Sequence, residues 1–203
     1  PPASLNDHRI YVHRSRDGRL TCGPFYPTTV LTLPFTGYIA PGGYHYYKAY
    51  VQGHGFRHNQ FPALASDPAN PTIVYMVWNH YDPNWDSTYT AICCTGIPPV
   101  STPSPTPATF QAGDIAFARS TDGGHSWSAP VRVNDDPLHD GIDQFFPAIA
   151  TSPDGTIHVA WSDRRDDPNN DLYRVYYSYS TDTGLTWSPN QPVADAPSDP
   201  ASI

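Results

Sequence analysis

Glutamate is absent from the 203-residue chain, and lysine occurs only once, at Lys48. All 19 acidic side chains are therefore aspartates, and with 11 lysines and arginines the net charge is −8. An acidic surface repels phosphate backbones, and no basic cluster offsets it, so the composition disfavours nucleic-acid binding. The sequence also lacks an apolar run of about 18 residues, which excludes a membrane-spanning helix. It begins PPASLND without a basic or apolar leader, as expected for a processed form or a fragment.

Cysteine is scarce as well, with Cys22, Cys93 and Cys94 as its three positions. Their spacing is not that of a zinc site, and a vicinal pair seldom bridges itself. In a secreted protein, Cys22 could pair with one of the other two and leave the third free. The count alone leaves the redox compartment open.

Long helical patterns are missing too, because proline (24 residues) and glycine (14 residues) interrupt every window of helical spacing. Aromatic residues reach 13% of the chain. This composition predicts an all-β fold with many short strands joined by polar loops.

An eight-residue phrase recurs in the sequence: STDGGHSW at residues 120–127 and STDTGLTW at residues 180–187. A degenerate copy lies near the N-terminus, where Ser15 and Asp17 keep the first two positions, and Arg19 and Cys22 replace the glycine and tryptophan. Each copy lies between two segments that are predicted to form strands, which is the pattern of a β-hairpin.

A second block precedes the two complete copies, as NQFPALASDPANPTIVYMVWN (residues 59–79) and QFFPAIATSPDGTIHVAWS (residues 144–162). Each predicts two further strands, so that one full unit has four antiparallel strands. Such units, repeated along a chain, are typical of the blades of a β-propeller. The predicted organisation is a last blade hairpin (1–33), a linker (34–56), a blade with a Pro/Ser/Thr-rich insertion at 87–112 (57–135), a second blade (140–195) and a tail (196–203).

Residues 95–110 of the insertion, TGIPPVSTPSPTPATF, cannot pair in a sheet by this interpretation and should form an extended, exposed loop. Its serines and threonines would suit O-glycosylation if the chain is secreted.

The pattern Ser-x-Asp-x-Gly-x-Thr/Ser-Trp resembles the Asp-box, or BNR repeat, of sialidases and related β-propellers. The resemblance covers roughly residues 8–30 and 57–195. It implies about two and a half blades, with the ring completed by missing sequence or by other copies. It also implies a structural role at the periphery for the matching residues, which are Ser15, Asp17, Ser120, Asp122, Gly124, Trp127, Ser180, Asp182, Gly184 and Trp187.

The same resemblance implies a catalytic set of three arginines, an aspartic acid, and a tyrosine assisted by a glutamate. Gln60 and Phe145 occupy the position of the first arginine, which precedes a blade proline, and the chain has no glutamate. The loop WSDRRDDPNND (residues 161–171) resembles a sialidase loop that carries an arginine and an acid. A catalytic interpretation selects Asp163, Arg164 and Arg165. The alternative is a solvated loop with local ion pairs worth about 0–1 kcal/mol each.

Two D-x-N-x-D motifs raise the question of a metal. Alternate oxygen side chains could face one Ca²⁺ ion, which takes 6–8 oxygen ligands. The candidate ligands are Asp82, Asn84 and Asp86 in the first motif and Asp167, Asn169 and Asp171 in the second. Neither copy continues as an EF-hand, and capping of turns is the alternative explanation.

These features together predict a secreted, sialidase-like propeller module with a non-catalytic role, either glycan binding or extracellular structure and assembly. The expected partners are glycans or another extracellular protein, in a homo-oligomer or a longer chain. The alternative is an exo-sialidase-like glycoside hydrolase whose catalytic residues lie partly outside this sequence.

Overall fold

The fold is taken from a computed structural model that describes residues 62–79, 113–138, 140, 142–169 and 171–199, and elsewhere only the backbone of several strands. In chain order the strands are β1 (Asp7–Val12), β2 (Thr28–Pro34), β3 (Tyr38–Ile39), β4 (His45–Tyr46), β5 (Ala49–Tyr50), β6 (Arg57–His58), β7 (Ala63–Ser66), β8 (Val74–His80), β9 (Tyr89–Thr90), β10 (Thr109–Phe110), β11 (Asp114–Ser120), β12 (Val131–Arg132), β13 (Gln144–Thr151), β14 (Ile157–Asp163), β15 (Arg174–Ser180) and β16 (Gln191–Pro192). In the described part of the chain, no helix is long and apolar enough to cross a membrane.

The N-terminal half contains short strand pairs. Strand β1 pairs antiparallel with β2, as the predicted N-terminal hairpin requires. Ser15 and Asp17, in the connection between these strands, lie outside the described residues. Strand β3 pairs with β4, and β5 pairs with β6, partly within the predicted linker.

The predicted insertion at residues 87–112 departs from the prediction near its end. Thr109 and Phe110 of β10 pair antiparallel with β9. The expectation that residues 95–110 would not pair in a sheet is therefore wrong for these two. Threonine and phenylalanine favour strands, and the prolines of the segment end before them, so β9, earlier in the chain, can supply a partner for their backbone groups.

The two complete repeats each form a four-stranded antiparallel sheet, which confirms the predicted four-strand unit. The first sheet has the order β12-β11-β8-β7, and the second has the order β13-β14-β15-β16. Consecutive strands are neighbours in both sheets, so each sheet is a simple meander. Two such sheets are consistent with propeller blades.

Side-chain alternation orients the second sheet. Along β14, Ile157, Val159 and Trp161 are buried, while His158 and Ala160 between them are only partly buried. Successive side chains of a strand point to opposite faces, so one face of this sheet is apolar and packed. The buried face of the second sheet packs against the first sheet.

Strand β8 of the first sheet is buried on both faces. Tyr75 and Val77 join the core that the two sheets share, whereas Met76 and Trp78 belong to a second cluster on the opposite face. The shared core consists of Tyr75, Val77, Ile115, Phe117, Val133, Ile157, Val159, Trp161 and Tyr176. Complete burial of each large apolar side chain contributes about 1.5–3 kcal/mol. Hydrophobic packing in this shared core is therefore the main interaction that holds the two sheets together.

Gly184 marks the tightest contact between the two sheets. It adopts φ +84°, and a Cβ at this position would lie 2.2 Å from Cε1 of Phe117 in the first sheet. The ring of Trp187 meets the same phenylalanine edge-on, with 5.1 Å between ring centroids. Beside them, the Arg119 guanidinium donates hydrogen bonds to the carbonyl and the hydroxyl of Thr183. The hairpin of the second sheet is thereby fastened onto the first.

Substitution of Gly184 by alanine tests this contact. We expect Gly184→Ala to lower the free energy of unfolding by about 2–4 kcal/mol, because the left-handed backbone costs about 1–2 kcal/mol and the clash with Phe117 adds overpacking. Urea unfolding measures the loss.

Gly155 supplies the matched control, because it has φ +86° but, apart from its own chain neighbours, no atom lies within 4 Å of the point where a Cβ would lie. Gly155→Ala should cost only the backbone part, about 1–2 kcal/mol. In a Phe117→Ala background, the cost of Gly184→Ala should fall to that of Gly155→Ala. Equal losses for the two glycines in the wild-type background would contradict the contact.

Candidate functional site

The first complete repeat turn is organised around one carboxylate, that of Asp122. Its Oδ1 accepts hydrogen bonds from the backbone N–H of His125 and of Ser126, both at 2.9 Å, and from the hydroxyl of Ser120 at 2.8 Å. Its Oδ2 accepts from the Ser126 hydroxyl at 2.6 Å. Ser120 Oγ in turn accepts from the Gly124 N–H at 2.8 Å. Both carboxylate oxygens thus bind groups of the same turn, Oδ1 mainly its backbone and Oδ2 the Ser126 hydroxyl.

The second repeat turn has the same arrangement around Asp182. Its Oδ1 accepts from the N–H groups of Leu185 (3.0 Å) and Thr186 (2.9 Å) and from the Ser180 hydroxyl (2.7 Å). Its Oδ2 accepts from the Thr186 hydroxyl at 2.6 Å. These bonds, led by the one from the Thr186 hydroxyl, hold the pKa of Asp182 well below its usual range. The bonds from Ser126 do the same for the pKa of Asp122.

The two repeat tryptophans pack in different places. Trp127 packs on the cluster of Met76, Trp78 and neighbouring alanines, on the face of the first sheet turned away from the second. Trp187 packs into the core shared by the two sheets. Both rings cover the sheet beside their own turn, and only Trp187 also joins two sheets.

The Asp–Arg loop lies at the opposite end of the second sheet from the repeat turn. Asp163 ends β14 and pairs with Arg174, whereas Ile157 starts that strand and pairs with Ser180. Six residue steps separate the two ends, which is about 20 Å along a strand. The repeat turn and the catalytic candidates therefore belong to separate regions of the sheet.

Asp163 is completely buried and fully engaged. Its Oδ2 accepts from Trp161 Nε1 at 2.8 Å and from Arg165 Nη2 at 2.7 Å, and its Oδ1 accepts from the Arg165 backbone N–H at 2.9 Å. Burial raises the pKa of Asp163, while the hydrogen bonds from Arg165 act in the opposite direction.

Arg165 extends from Asp163 to aspartates that follow the first sheet. Its Nη1 lies 2.6 Å from Asp135 Oδ1, and its Nη2 lies 3.3 Å from Asp136 Oδ1. Nη2 also donates to Asn190 Oδ1 at 3.0 Å. The guanidinium lies over the ring of Tyr176, with 4.4 Å from Cζ to the ring centroid. Each edge of the guanidinium is therefore occupied by the protein itself.

A second arginine completes the same group of charges. Arg132 Nε lies 2.6 Å from Asp114 Oδ1, and its Nη2 lies 2.9 Å from Asp136 Oδ1. Asn134 donates to both aspartates at 2.7 Å and to Gln144 Oε1 at 3.2 Å. We name the whole set the rim network; it comprises Asp114, Arg132, Asn134, Asp135, Asp136, Gln144, Asp163, Arg165 and Asn190.

Sequence reasoning selected only Asp163 and Arg165 of the rim network. The polar run Asn134-Asp135-Asp136, which begins two residues after the end of β12, was the sequence signal for the rest. Asp114 and Gln144 give no such signal, because each starts a strand and becomes a member only through the packing of the two sheets.

Arg164 adjoins Arg165 in sequence but packs on a different aromatic ring, that of Phe145. Its side chain is completely buried, and its Cζ lies 5.6 Å from the centroid of the Phe145 ring. Its backbone N–H donates to the Asp143 carbonyl at 3.2 Å. The structure thus brings Asp163 and Arg165 together. Gln60, the other predicted counterpart of an arginine, lies outside the described residues.

The second D-x-N-x-D motif forms a turn around Asp167. Its Oδ1 accepts from the Asn169 N–H at 3.0 Å, and its Oδ2 accepts from the N–H groups of Asp171 (2.9 Å) and Leu172 (2.7 Å). These bonds, led by that from Leu172, lower the pKa of Asp167. Such contacts fit the capping of a turn. Among the described residues, no group of three or more His, Cys or acidic side chains is placed to hold a metal ion. Asp82, Asn84 and Asp86 lie outside those residues, so Ca²⁺ binding there stays a prediction.

Comparisons with known proteins give little beyond this geometry. No protein-family model matches the chain, and no curated protein matches it. Among solved structures, the chain is similar to one named Hadza microbial sialidase Hz136, at 22% identity and a TM-score of 0.39. The matched region covers 66% of this chain and 24% of that one, so the chain spans about a quarter of its length.

Removal of the Arg165 guanidinium tests the rim network. We expect Arg165→Ala to lower the free energy of unfolding by about 3 kcal/mol, because it leaves the buried Asp163 carboxylate without its cation. The control is Arg174→Ala, since the Arg174–Asp166 pair, with side chains 27% and 38% exposed, should contribute less than about 1 kcal/mol. In an Asp163→Asn background, the loss from Arg165→Ala should be smaller. Equal losses for the two arginines would contradict the network.

Acid should lower the stability that the Asp182 carboxylate gives to the second repeat turn. The folded-state pKa of Asp182 lies below its unfolded value of 3.8. Its stabilising contribution is therefore present above about pH 4 and is lost as pH falls toward the folded pKa. We expect Asp182→Asn to be less stable than the wild type at neutral pH, and the difference in melting temperature to shrink between about pH 5 and pH 2.

Leu185→Ala, in the same turn, is the control for this pH series. Leu185 is exposed and does not titrate, so its difference from the wild type should not change with pH. A difference for Asp182→Asn that stays constant across the series would contradict the interpretation of the turn.

Proposed function

We propose that the chain is a non-catalytic structural module of a secreted, sialidase-like Asp-box propeller that contacts glycans or another extracellular protein. Its two complete repeats each build one sheet, and the repeat turn of the second fastens it to the first. The module presents loops and sheet ends on this rigid frame, either in a longer chain or in an oligomer.

The internal use of Arg165 is the observation that carries the non-catalytic role. An arginine that binds a substrate carboxylate offers two parallel N–H donors from one edge of its guanidinium. Here those donors are engaged by Asp135, Asp136 and Asp163, and the side chain is only 16% exposed. Asp163 itself is completely buried. A substrate would have to displace several charge-assisted bonds to reach either residue.

Phe146 supports a contact with glycans at the same end of the second sheet. It adopts φ +53°, a left-handed conformation that bulky residues rarely adopt, and its side chain is 44% exposed. The pairing of β13 with β14 is irregular between Phe145 and Ala148, so Phe146 lies in a bulge. Asn79 of the first sheet accepts from the Phe146 N–H at 3.3 Å and donates to the Gln144 carbonyl at 2.8 Å.

The strained backbone of Phe146 is held by Asn79, and its aromatic ring is exposed to solvent. Strain of this kind is typical of a binding position. The ring of Phe146 offers an apolar surface on which the C–H face of a sugar could pack. We therefore assign the glycan contact of the module to this bulge.

Sialoside turnover and sialoside binding, measured side by side, test the proposal. We expect no release of sialic acid from sialyllactose above the buffer rate, for the intact chain and for Arg164→Ala and Arg165→Ala alike. Release that is lost in either variant would overturn the non-catalytic role and favour the glycoside hydrolase.

On a glycan array, Phe146→Ala should lose the binding of the wild type, because it removes the displayed ring. Leu138→Ala is the control, since Leu138 is also exposed but lies before β13 and outside the bulge. An array without any signal would contradict the glycan contact and leave the structural role. Binding that survives in Phe146→Ala would place the contact elsewhere.

A further inference from the structure

The second sheet has a face that the first sheet does not cover, and this face carries titratable side chains. Two cross-strand rows form it: Ala148, Ala160 and Tyr177 lie side by side, and so do Ala150, His158 and Tyr179. Ile157, Val159 and Trp161, which alternate with these residues, face the shared core. We call these two rows the outer face. None of its six side chains is an acid, a lysine or an arginine.

A continuous chain of hydrogen bonds starts on the outer face. The hydroxyl of Tyr177 lies 2.6 Å from Nδ1 of His158, and Nε2 of His158 lies 3.1 Å from Oγ of Ser152. The Ser152 hydroxyl donates to Oδ1 of Asp154, in the turn between β13 and β14. The rings of His158 and Tyr177 are nearly parallel, at 17°. Phenol, imidazole, hydroxyl and carboxylate are thus connected in sequence.

The direction of each bond in this chain follows from its carboxylate end. The hydrogen bond from Ser152 lowers the pKa of Asp154 to about 2, so the carboxylate is ionised at neutral pH and can only accept. Ser152 gives its single proton to Asp154, and its oxygen must accept from His158. His158 therefore carries its proton on Nε2 and presents an unprotonated Nδ1 to Tyr177. The phenol hydroxyl of Tyr177 donates to that nitrogen.

We propose that Tyr177 is an acyl-acceptor site, with His158 as the general base for its hydroxyl and with Ser152 and Asp154 as the residues that orient the imidazole. A nucleophile within hydrogen-bond reach of a base, which a third group holds in turn, is the arrangement that activates hydroxyl groups in proteins. This acceptor site lies in a region that the rim network and the repeat turns do not use.

The transfer step conserves atoms and charge. The Tyr177 phenol oxygen attacks the carbonyl carbon of an activated ester, and the phenol proton moves to Nδ1 of His158. The resulting imidazolium keeps its Nε2–H bond to Ser152, whose hydroxyl points to the negative carboxylate of Asp154. The tetrahedral intermediate expels the alcohol or phenol of the ester, which takes the proton from Nδ1. The products are an O-acyl Tyr177 and the free leaving group.

Because the outer face has no acidic, lysine or arginine side chain, it favours an uncharged acyl donor. A phosphoryl donor would need cations, and the outer face offers none in a chain of net charge −8. Ala148 and Ala160, in the row of Tyr177, have small side chains that leave room beside the phenol for a short acyl group. Burial and the neighbouring Tyr179 raise the pKa of Tyr177. The phenol is therefore protonated at neutral pH, and its reaction depends on a base.

Acetylation by p-nitrophenyl acetate tests the proposal in the intact chain. Peptide mass spectrometry gives the rate of acetylation at Tyr177, at Tyr179 and at Ser152. We expect Tyr177 to react about a hundredfold faster than Tyr179, since a positioned general base contributes about 10²–10⁴-fold. Tyr179 is an internal control that requires no mutation. It lies opposite His158 and is 42% exposed, but the two ring nitrogens of His158 are engaged by Tyr177 and Ser152.

Variants separate the general base from simple exposure. His158→Gln should reduce the Tyr177 rate to that of Tyr179, and Ser152→Ala should lower it in part, while Leu185→Ala, at an exposed position outside the outer face, should leave it unchanged. At neutral pH a tyrosine without a base should react slowly, because free tyrosine loses its proton only near about pH 10.

Three results would overturn the proposal. The first is a Tyr177 rate no higher than that of Tyr179, which would also be the outcome if another sheet covered the outer face. The second is an acetyl group on Ser152 in place of Tyr177. The third is a Tyr177 rate that neither His158→Gln nor Ser152→Ala changes.

Discussion

The packing of one sheet face on another is the constraint on which the rest of this structure depends. A four-stranded sheet has an apolar face that it must bury, and a single sheet cannot bury it alone. The second sheet covers this face with the first, at a contact where Phe117 fits against Gly184 because that residue has no Cβ. Once this face is fixed, the two ends of the sheets differ: one end holds the repeat turns, and the other holds charged groups that must pair.

Aspartate meets both demands in a chain without glutamate. In the repeat turns, its short side chain keeps the carboxylate within reach of the backbone N–H groups that follow it, as Asp122 and Asp182 show. In the rim network, the same residue type is buried against arginine, and Asp163 illustrates the cost, since burial raises its pKa. Arg165 offsets that cost by joining aspartates from the two sheets. The same residue type thus stabilises the repeat turns and, paired with arginine, the contact between the two sheets.

Prediction from sequence succeeded where the physics is local. The alternation in residues 144–162 predicted strands β13 and β14, and the phrase STDTGLTW predicted the hairpin between β15 and β16. It was weaker at the candidate site. Arg164 and Arg165 are adjacent and chemically identical, and no local signal shows that Arg165 would link Asp163 to Asp135 and Asp136. Thr109 and Phe110 were assigned to an extended loop, yet they pair with β9, because a partner distant in sequence satisfied their backbone groups.

By itself, the sequence determined the strand period, the turn residues and the four-strand unit, since these depend on residues a few positions apart. Only the tertiary structure decided that Arg165 also pairs with Asp135 and Asp136 and that Gly184 lies on Phe117, because these partners belong to the first sheet or follow it. It also decided the hydrogen bond from Tyr177 to His158, which depends on the register of β14 against β15. Contacts between residues far apart in the chain follow from packing, and packing has no signature in a single sequence.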